Sequence, residues 1–156
     1  PAHDPDVRGL VRTVLERPVR GSLAGAGAWT GVALGGLALL GVPDWYYLGA
    51  ILAWAGPVLA LQWAYGGRYL YRRRRRCAVA VLGPTLYLAV VDRIAIDAGL
   101  WRLSLAHTSG LTVFGLPIEE GAFFLLTNLM LAQGFLLFFR VTDRWRRTPA
   151  SADEWG

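Results

Sequence analysis

The most informative segment of this 156-residue chain reads Leu116-Pro117-Ile118-Glu119-Glu120-Gly121-Ala122-Phe123-Phe124-Leu125-Leu126-Thr127-Asn128-Leu129. Pro117 suits the first turn of a helix, where its missing N–H costs nothing. An apolar run then continues to Phe139, which is long enough to cross a bilayer core of about 30 Å. Acidic side chains at the edge of such a span are costly and are functional candidates, although glutamate is also favoured at an ordinary helix N-terminus. The segment therefore predicts a transmembrane helix that begins with Glu119 and Glu120. These carboxylates either take part in the chemistry of a functional site or form the solvated start of the helix.

The overall composition is typical of a membrane protein. Mean hydropathy is +0.38, 54% of the residues are hydrophobic and 17% are charged. The formal net charge is +5, and all 16 basic residues are arginines. These arginines cluster at the ends of apolar segments. This placement is typical of residues that set the orientation of a membrane protein and contact lipid headgroups, rather than of a nucleic-acid surface. The single cysteine, Cys77, cannot form an internal disulfide.

Four apolar segments follow one another along the chain and predict an all-α, polytopic membrane bundle of about four transmembrane helices. We place them at about Leu23–Val42, Tyr47–Tyr71, Cys77 to Asp92 or Ala98, and Pro117–Phe139. Gly56-Pro57 predicts a kink in the second segment. The bundle domain is expected to cover residues 21–140, between a basic N-terminal tail of residues 1–20 and an Arg-rich, disordered tail of residues 141–156.

The distribution of arginine predicts the orientation of the bundle. Fourteen of the 16 arginines lie near the N-terminus, in residues 68–76 or near the C-terminus, and only Arg93 and Arg102 lie elsewhere. The positive-inside rule then places both termini and the Arg72–Arg76 turn in the cytoplasm. No cleavable signal peptide is evident, because the first apolar run is too long and no small-residue cleavage pattern follows it.

Glycines at four-residue spacing, Gly27, Gly31 and Gly35, predict a face for close contact with another helix, within this chain or outside it. The adjoining Gly25-Ala26-Gly27 is not interpreted as a nucleotide site, because a dinucleotide fingerprint needs a βαβ unit. No spacing of cysteine, histidine and carboxylate residues indicates a metal site, and His107 is interpreted as a loop residue.

A further acidic residue lies on the third segment. Asp92 is about 22 Å along that helix, so it should reach the same end of the bundle as Glu119 and Glu120. The three carboxylates are therefore candidates for one site. Pairing of Asp92 with Arg93 or Arg102 at the membrane interface explains it equally well.

Several sequence elements occur in a characteristic order: Asp92, Gly99-Leu100-Trp101, a loop with Thr108 and Gly110, Pro117-Ile118-Glu119-Glu120-x-x-Phe123-Phe124, and Thr127-Asn128-Leu129. Together they resemble the membrane-embedded lycopene cyclase domain, over roughly Trp63–Phe135. This family occurs as two small bacterial subunits, as fused archaeal enzymes and as the cyclase half of fungal cyclase–phytoene synthase fusions. The Thr-Asn-Leu continuation is more similar to the second repeat of the fused enzymes than to the first.

The resemblance implies carotenoid biosynthesis by a non-redox lycopene cyclase, an isomerase that needs no cofactor. A proton adds to the terminal alkene of lycopene, the next double bond captures the tertiary cation, and a proton leaves, giving a ring that we expect to be a β-ionone ring. Such chemistry needs a carboxylic acid that is kept protonated and then delivers its proton.

Glu119 and Glu120 are our candidates for an acid and relay pair, with Asp92 in support. If they are buried, desolvation and the adjacent like charge favour the neutral acid. This effect exceeds the roughly 0.3–1 kcal/mol by which a helix N-terminus favours the anion. The candidate substrate-binding residues are Trp101, Pro117, Phe123, Phe124 and Asn128. Aromatic rings among them would offer π faces to a carbocation, and plain packing explains those rings equally well.

The resemblance also implies a partner, a homologous second cyclase subunit that completes a heterodimer in the bacterial cytoplasmic membrane. Lycopene is long compared with the groove that four short spans can enclose, so we expect the chain to need this partner. Alternatives are a non-catalytic assembly subunit of a carotenoid cyclase, a cyclase for a longer C50 carotenoid, and a proton-coupled transporter. The sequence leaves the ring type open.

The arginine distribution gives a direct test of topology. A reporter that is active only in the cytoplasm should be active when it is fused to the C-terminus, because the positive-inside rule retains arginine-rich ends on that side. Enzymatic assays of such fusions in intact cells measure this. Activity of a C-terminal reporter that works only outside the cytoplasm would contradict the predicted orientation.

Overall fold

The computed structural model describes residues 22–100 and 107–147. Within this part of the chain, four long helices follow one another: α1 Leu23–Leu39, α2 Tyr46–Arg72, α3 Arg74–Asp97 and α4 Ile118–Arg147. The predicted all-α membrane bundle is confirmed. The N-terminal tail, Trp101 and residues 148–156 lie outside the described residues.

Three helical stretches are long and apolar enough to cross a membrane, judged by length and composition: Pro43–Arg72, Arg74–Asp97 and Ile118–Asp143. Helix α1 is apolar but has only 17 residues. At 1.5 Å per residue it is about 25 Å long, which is at the lower limit of the length that crosses a bilayer core of about 30 Å. The orientation of the termini stays a prediction.

Helix α1 begins at the predicted Leu23 and ends at Leu39 rather than at the predicted Val42. Ser22 caps α1, because its hydroxyl accepts a hydrogen bond from the N–H of Gly25 at 3.2 Å. Helix α2 keeps Pro57 in its interior, and its departure from helical geometry lies instead at Gly66, with φ −139° and ψ 20°. Helix α4 continues past the predicted end at Phe139 as far as Arg147.

Helices α1 and α2 form an antiparallel hairpin in which glycines let the two backbones touch. The 3-10 helix Pro43–Trp45 joins them, and the N–H of Ser22 donates to the carbonyl of Trp63 at 3.0 Å near the other end. A Cβ built at Gly36 would lie 2.8 Å from the carbonyl oxygen of Gly49, and one at Gly56 would lie 2.7 Å from the Cβ of Ala33. Small-residue packing therefore holds this hairpin together.

The predicted glycine face does not take part in that contact. A Cβ at Gly27, Gly31 or Gly35 would meet nothing within 4 Å among the described residues. The close-packing glycine of this region is Gly36, on the adjacent face of α1. The Gly27, Gly31 and Gly35 face is left open towards the outside of the hairpin.

Helix α4 packs against both α2 and α3, whereas α2 and α3 make few contacts with each other. The buried core contains Ile51, Ala55 and Leu59 of α2 and Leu126 of α4. Large apolar side chains such as Val79, Leu86 and Tyr87 of α3 are exposed, as expected where lipid rather than protein covers a helix. The core is thus small, and the cleft between α2 and α3 has α4 as its third wall.

The contrast between Gly36 and Gly35 gives a prediction for stability. Gly36→Ala should destabilise the fold by about 1–3 kcal/mol, because the new methyl group forces the α1 and α2 backbones apart. Gly35→Ala, which places the same methyl group in open space, should be neutral or up to about 1 kcal/mol stabilising, because alanine favours helix. Thermal unfolding of the purified variants in one detergent measures both. Equal stability of the two variants would contradict the packing described above.

Candidate active site

The carboxyl group of Glu119 is the most deeply buried polar group at the start of α4. Its side chain is 0% exposed. Oε1 accepts two hydrogen bonds from Ser109, one from the N–H at 2.8 Å and one from the hydroxyl at 2.7 Å. Oε2 is buried and has no hydrogen-bond partner among the described residues. One oxygen of this acid is therefore fixed, and the other is left available.

A short hairpin before α4 places Ser109 against Glu119. Strands β1 Thr112–Val113 and β2 Leu116–Pro117 pair antiparallel, so the chain reverses just before the helix begins. The N–H of Ile118 donates to the carbonyl of Leu111 at 3.1 Å, which closes the base of the hairpin. Ser109 is thereby held beside the first turn of α4.

The tip of this hairpin is a two-residue turn in which Phe114 has φ 51° and Gly115 has φ 79°. Two positive φ values are typical of the two-residue turn whose twist matches that of paired strands. Glycine adopts the second of these values at little conformational cost. Arg93 of α3 secures the tip, because its Nε donates to the carbonyl of Phe114 at 3.1 Å. Helix α3 and the hairpin are thus tied together above the buried acid.

The structure brings the three predicted acids to the same end of the bundle. Asp92 of α3 is 5% exposed, and its Oδ2 is buried without a hydrogen-bond partner among the described residues. The carboxyls of Asp92 and Glu119 lie within electrostatic range of the carboxyl of Glu120, which is half-buried. Tyr47 of α2 also lies within electrostatic range of all three carboxyls. The site is thus built from α2, α3 and the start of α4.

Arg93 does not pair with Asp92. Its guanidinium forms an ion pair with Asp97, one turn further along α3. The alternative partner, Arg102, lies outside the described residues. Asp92 is therefore a buried acid whose neighbouring arginine is engaged elsewhere.

The predicted substrate-binding residues occupy different environments. Phe123 is 37% exposed, and its ring meets that of Phe124 edge-on with a centroid distance of 5.9 Å. Asn128 joins two helices, since its Nδ2 donates to Oγ1 of Thr85 on α3 at 3.1 Å. Pro117 is half-buried in β2, immediately before the first helical residue. The structure places Phe123 and Phe124 one turn from Glu119 and gives Asn128 an interhelical contact.

Sequence reasoning missed Ser109 and Tyr47. Ser109 stands between Thr108 and Gly110 in a loop, where no periodicity marks a residue as facing a site. Tyr47 belongs to an aromatic run that is typical of a membrane interface belt, so the sequence gives no reason to separate it from its neighbours. Only the fold brings both residues to Glu119.

The arrangement suits proton donation in an apolar setting. A buried carboxyl with one anchored oxygen and one free oxygen has a defined direction in which to present a proton. Nearby carboxyl groups can accept a proton and return it to this acid. Within the described residues, no group of three His, Cys, Asp or Glu side chains is arranged to hold a metal ion.

Comparison with known proteins gives several relatives. The chain is 56% identical over 127 residues to the lycopene beta-cyclase of Halobacterium salinarum, and the match covers 81% of this chain and 54% of that protein. It is 35% identical over 127 residues to the bifunctional lycopene cyclase/phytoene synthase of Podospora anserina, covering 79% of this chain and 21% of that protein. A protein of the same name from Blakeslea trispora is 40% identical over 87 residues, which is 55% of this chain and 14% of that protein.

The chain thus spans about half the length of the Halobacterium relative and a smaller share of the two fungal ones. No protein-family model matches the chain. No solved structure matches it either.

Proposed function

Since the chain belongs to the family of membrane lycopene cyclases, we propose that it cyclises the end group of lycopene, or of a related acyclic carotenoid, by proton transfer within the membrane. The family resemblance recognised in the sequence is confirmed by these relatives. The observation that carries the proposal is the buried carboxyl of Glu119, with Oε1 held by Ser109 and Oε2 without a hydrogen-bond partner in the described part of the chain. A hydrocarbon substrate offers no polar handle, so an acid that protonates it has to lie within the apolar part of the bundle.

In this proposal Glu119 is the acid and its proton resides on Oε2. A neutral carboxyl has one oxygen that only accepts hydrogen bonds and one that carries the proton. Oε1 already accepts from both donors of Ser109, so the proton belongs on Oε2.

The reaction then balances without any oxidant or reductant. The O–H bond of Glu119 breaks and its proton forms a C–H bond at the terminal alkene, which leaves a tertiary carbocation. The π electrons of the next double bond form the ring C–C bond, and the cation moves to that double bond. Loss of a neighbouring proton to a carboxylate restores an alkene, so the product is an isomer of the substrate.

The neighbouring groups have supporting roles in this proposal. Asp92 and Glu120 lie in the same electrostatic environment as Glu119 and act as the base and relay that return the proton. Phe123 and Phe124 present π faces beside the acid, which stabilise a carbocation. Asn128 holds α4 to α3 through Thr85. Its contribution to substrate binding is therefore to fix the distance between these two helices.

The active unit in this proposal includes a second, homologous cyclase domain, in the multi-pass arrangement of a bacterial cytoplasmic membrane with both termini in the cytoplasm. The open face of Gly27, Gly31 and Gly35 supports a partner, because such a face is suited to close contact with another helix. A second domain would supply the other wall of a groove long enough for a carotenoid.

The acids can be tested in lycopene-producing cells that express the chain with its homologous partner. Glu119→Gln should lower the yield of cyclic product by about 10²–10⁴-fold, because an amide cannot donate the proton. Glu120→Gln and Asp92→Asn should also lower it strongly. Chromatography of extracted pigments measures the product, and immunoblotting of membranes shows that each variant remains inserted.

Asp44→Asn is the matched control, because Asp44 is an exposed carboxyl at the same end of the bundle. It should keep the yield within about twofold. Ser109→Ala should give an intermediate loss, because the backbone N–H still holds Oε1. Full cyclisation by both glutamine variants would move the acid elsewhere, with Asp92 the next candidate. Unchanged product in all acidic variants, with the complex assembled, would favour a non-catalytic assembly role.

The need for a partner gives a separate test. The chain expressed without a homologous second cyclase domain should yield no cyclic carotenoid, because four helices enclose only part of a lycopene molecule. Co-expression with the second domain should restore the product. Pigment analysis of the two strains measures this, and purified chain that cyclises lycopene unaided would contradict the expectation.

A further inference from the structure

Two cavities lie at the turn between α2 and α3, at the opposite end of the bundle from Asp92, Glu119 and Glu120. One has a volume of about 400 Å³ and is lined by the five arginines Arg72–Arg76. The other, of about 290 Å³, lies between α2, α3 and α4 and has mostly apolar walls. Arg74 lines both. The distance along α4 from Glu119 to Arg140, at this same end, is about 32 Å, so these cavities are separate from the proposed active site.

The arginine-lined cavity is a concentration of unneutralised positive charge. Helices α2 and α3 carry no acidic residue between Asp44 and Asp92, and the acid of α4 near this end is Asp143. Among the described residues the one ion pair is between Arg93 and Asp97, so Asp143 does not neutralise Arg72–Arg76 by a direct pair. Arg74 stacks over the ring of Tyr71, with 4.6 Å between the guanidinium carbon and the ring centroid. This contact orients the guanidinium and leaves most of its N–H donors free for an anion.

The apolar cavity extends from Arg74 towards the interior of the bundle. It exists because α2 and α3 diverge beyond their connecting turn, while α4 packs on both. Its walls include Leu70, Cys77, Val81 and Leu129. From Arg74 to Val81 it extends about 10 Å along α3, within the roughly 15 Å of hydrocarbon that belongs to one leaflet.

We infer that these two cavities form one binding site for an anionic phospholipid, with the phosphate among Arg72–Arg76 and an acyl chain in the cleft between α2 and α3. Charge complementarity selects an anion, and the attached apolar cleft selects an anion that carries a hydrocarbon chain. Basic pockets between transmembrane helices bind lipid headgroups in this way. The positive-inside rule explains why arginines lie at this end, but not why Arg74 also lines an apolar cleft.

The site can be tested by native mass spectrometry of the full chain purified in detergent. The probes are phosphatidylglycerol and phosphatidylcholine with identical acyl chains. The chain should retain phosphatidylglycerol in clear preference to phosphatidylcholine. Arg74→Gln should lower that retention by about fivefold, the effect expected for one arginine beside an anionic lipid. Arg68→Gln is the matched control, because Arg68 is exposed on α2 and lines neither cavity.

A second pair of variants tests the cleft without changing charge. Ala78→Phe should fill the cleft and lower lipid retention, whereas Ala80→Phe, at an exposed position of α3 outside it, should not. Each variant is first checked for monodisperse elution, which shows that it has folded. Equal losses of lipid retention in Arg74→Gln and Arg68→Gln would show that binding depends on diffuse surface charge, and would contradict the proposed site. If inorganic phosphate displaces the lipid and Ala78→Phe retains it fully, the arginines bind an anion without help from the cleft. That result would also contradict the proposed lipid site.

Discussion

Two hydrogen bonds from Ser109 to Oε1 of Glu119 determine the geometry of the functional end of this bundle. A fully buried carboxyl without donors would cost several kcal/mol in an apolar setting, and the hairpin before α4 supplies those donors. The same bonds fix where the loop from α3 returns to the bundle. They leave Oε2 without a partner among the described residues, which is what an acid that gives its proton to a hydrocarbon requires. In the proposed mechanism, stability and chemistry therefore depend on opposite oxygens of the Glu119 carboxyl.

The bundle divides its polar groups between its two ends. Carboxyls from α3 and α4 converge at one end, where α2 contributes Tyr47. Arginines converge at the other, where α2 turns into α3. Between them, Asn128 and Thr85 form a side-chain bond between α4 and α3. This separation lets the acids remain in a weakly polar environment while the arginines face headgroups, which is consistent with proton chemistry on a substrate that arrives through the hydrocarbon.

Much of this arrangement could be predicted from the sequence. The apolar run after Pro117 predicted the helix that became α4, and the spacing of Asp92 along α3 predicted that it would reach Glu119 and Glu120. Ser109 could not be predicted, because a serine in a loop carries no periodic signal. Which glycines of α1 pack against α2 could not be predicted, because both faces of that helix are apolar and four-residue spacing does not distinguish a face that contacts α2 from one that faces lipid or another chain. Gly36 forms the contact, and Gly27, Gly31 and Gly35 remain open.

The central claim is that Glu119 is a neutral acid with its proton on Oε2, and infrared spectroscopy of the chain in membranes tests it most directly. A protonated carboxyl has a C=O stretch at higher frequency than the bands of a carboxylate, and that stretch moves to lower frequency in D₂O. We predict such a band in the wild-type chain, its loss in Glu119→Gln, and its persistence in Asp44→Asn. A wild-type spectrum with carboxylate bands only, or a protonated-carboxyl band that survives in Glu119→Gln, would contradict the account.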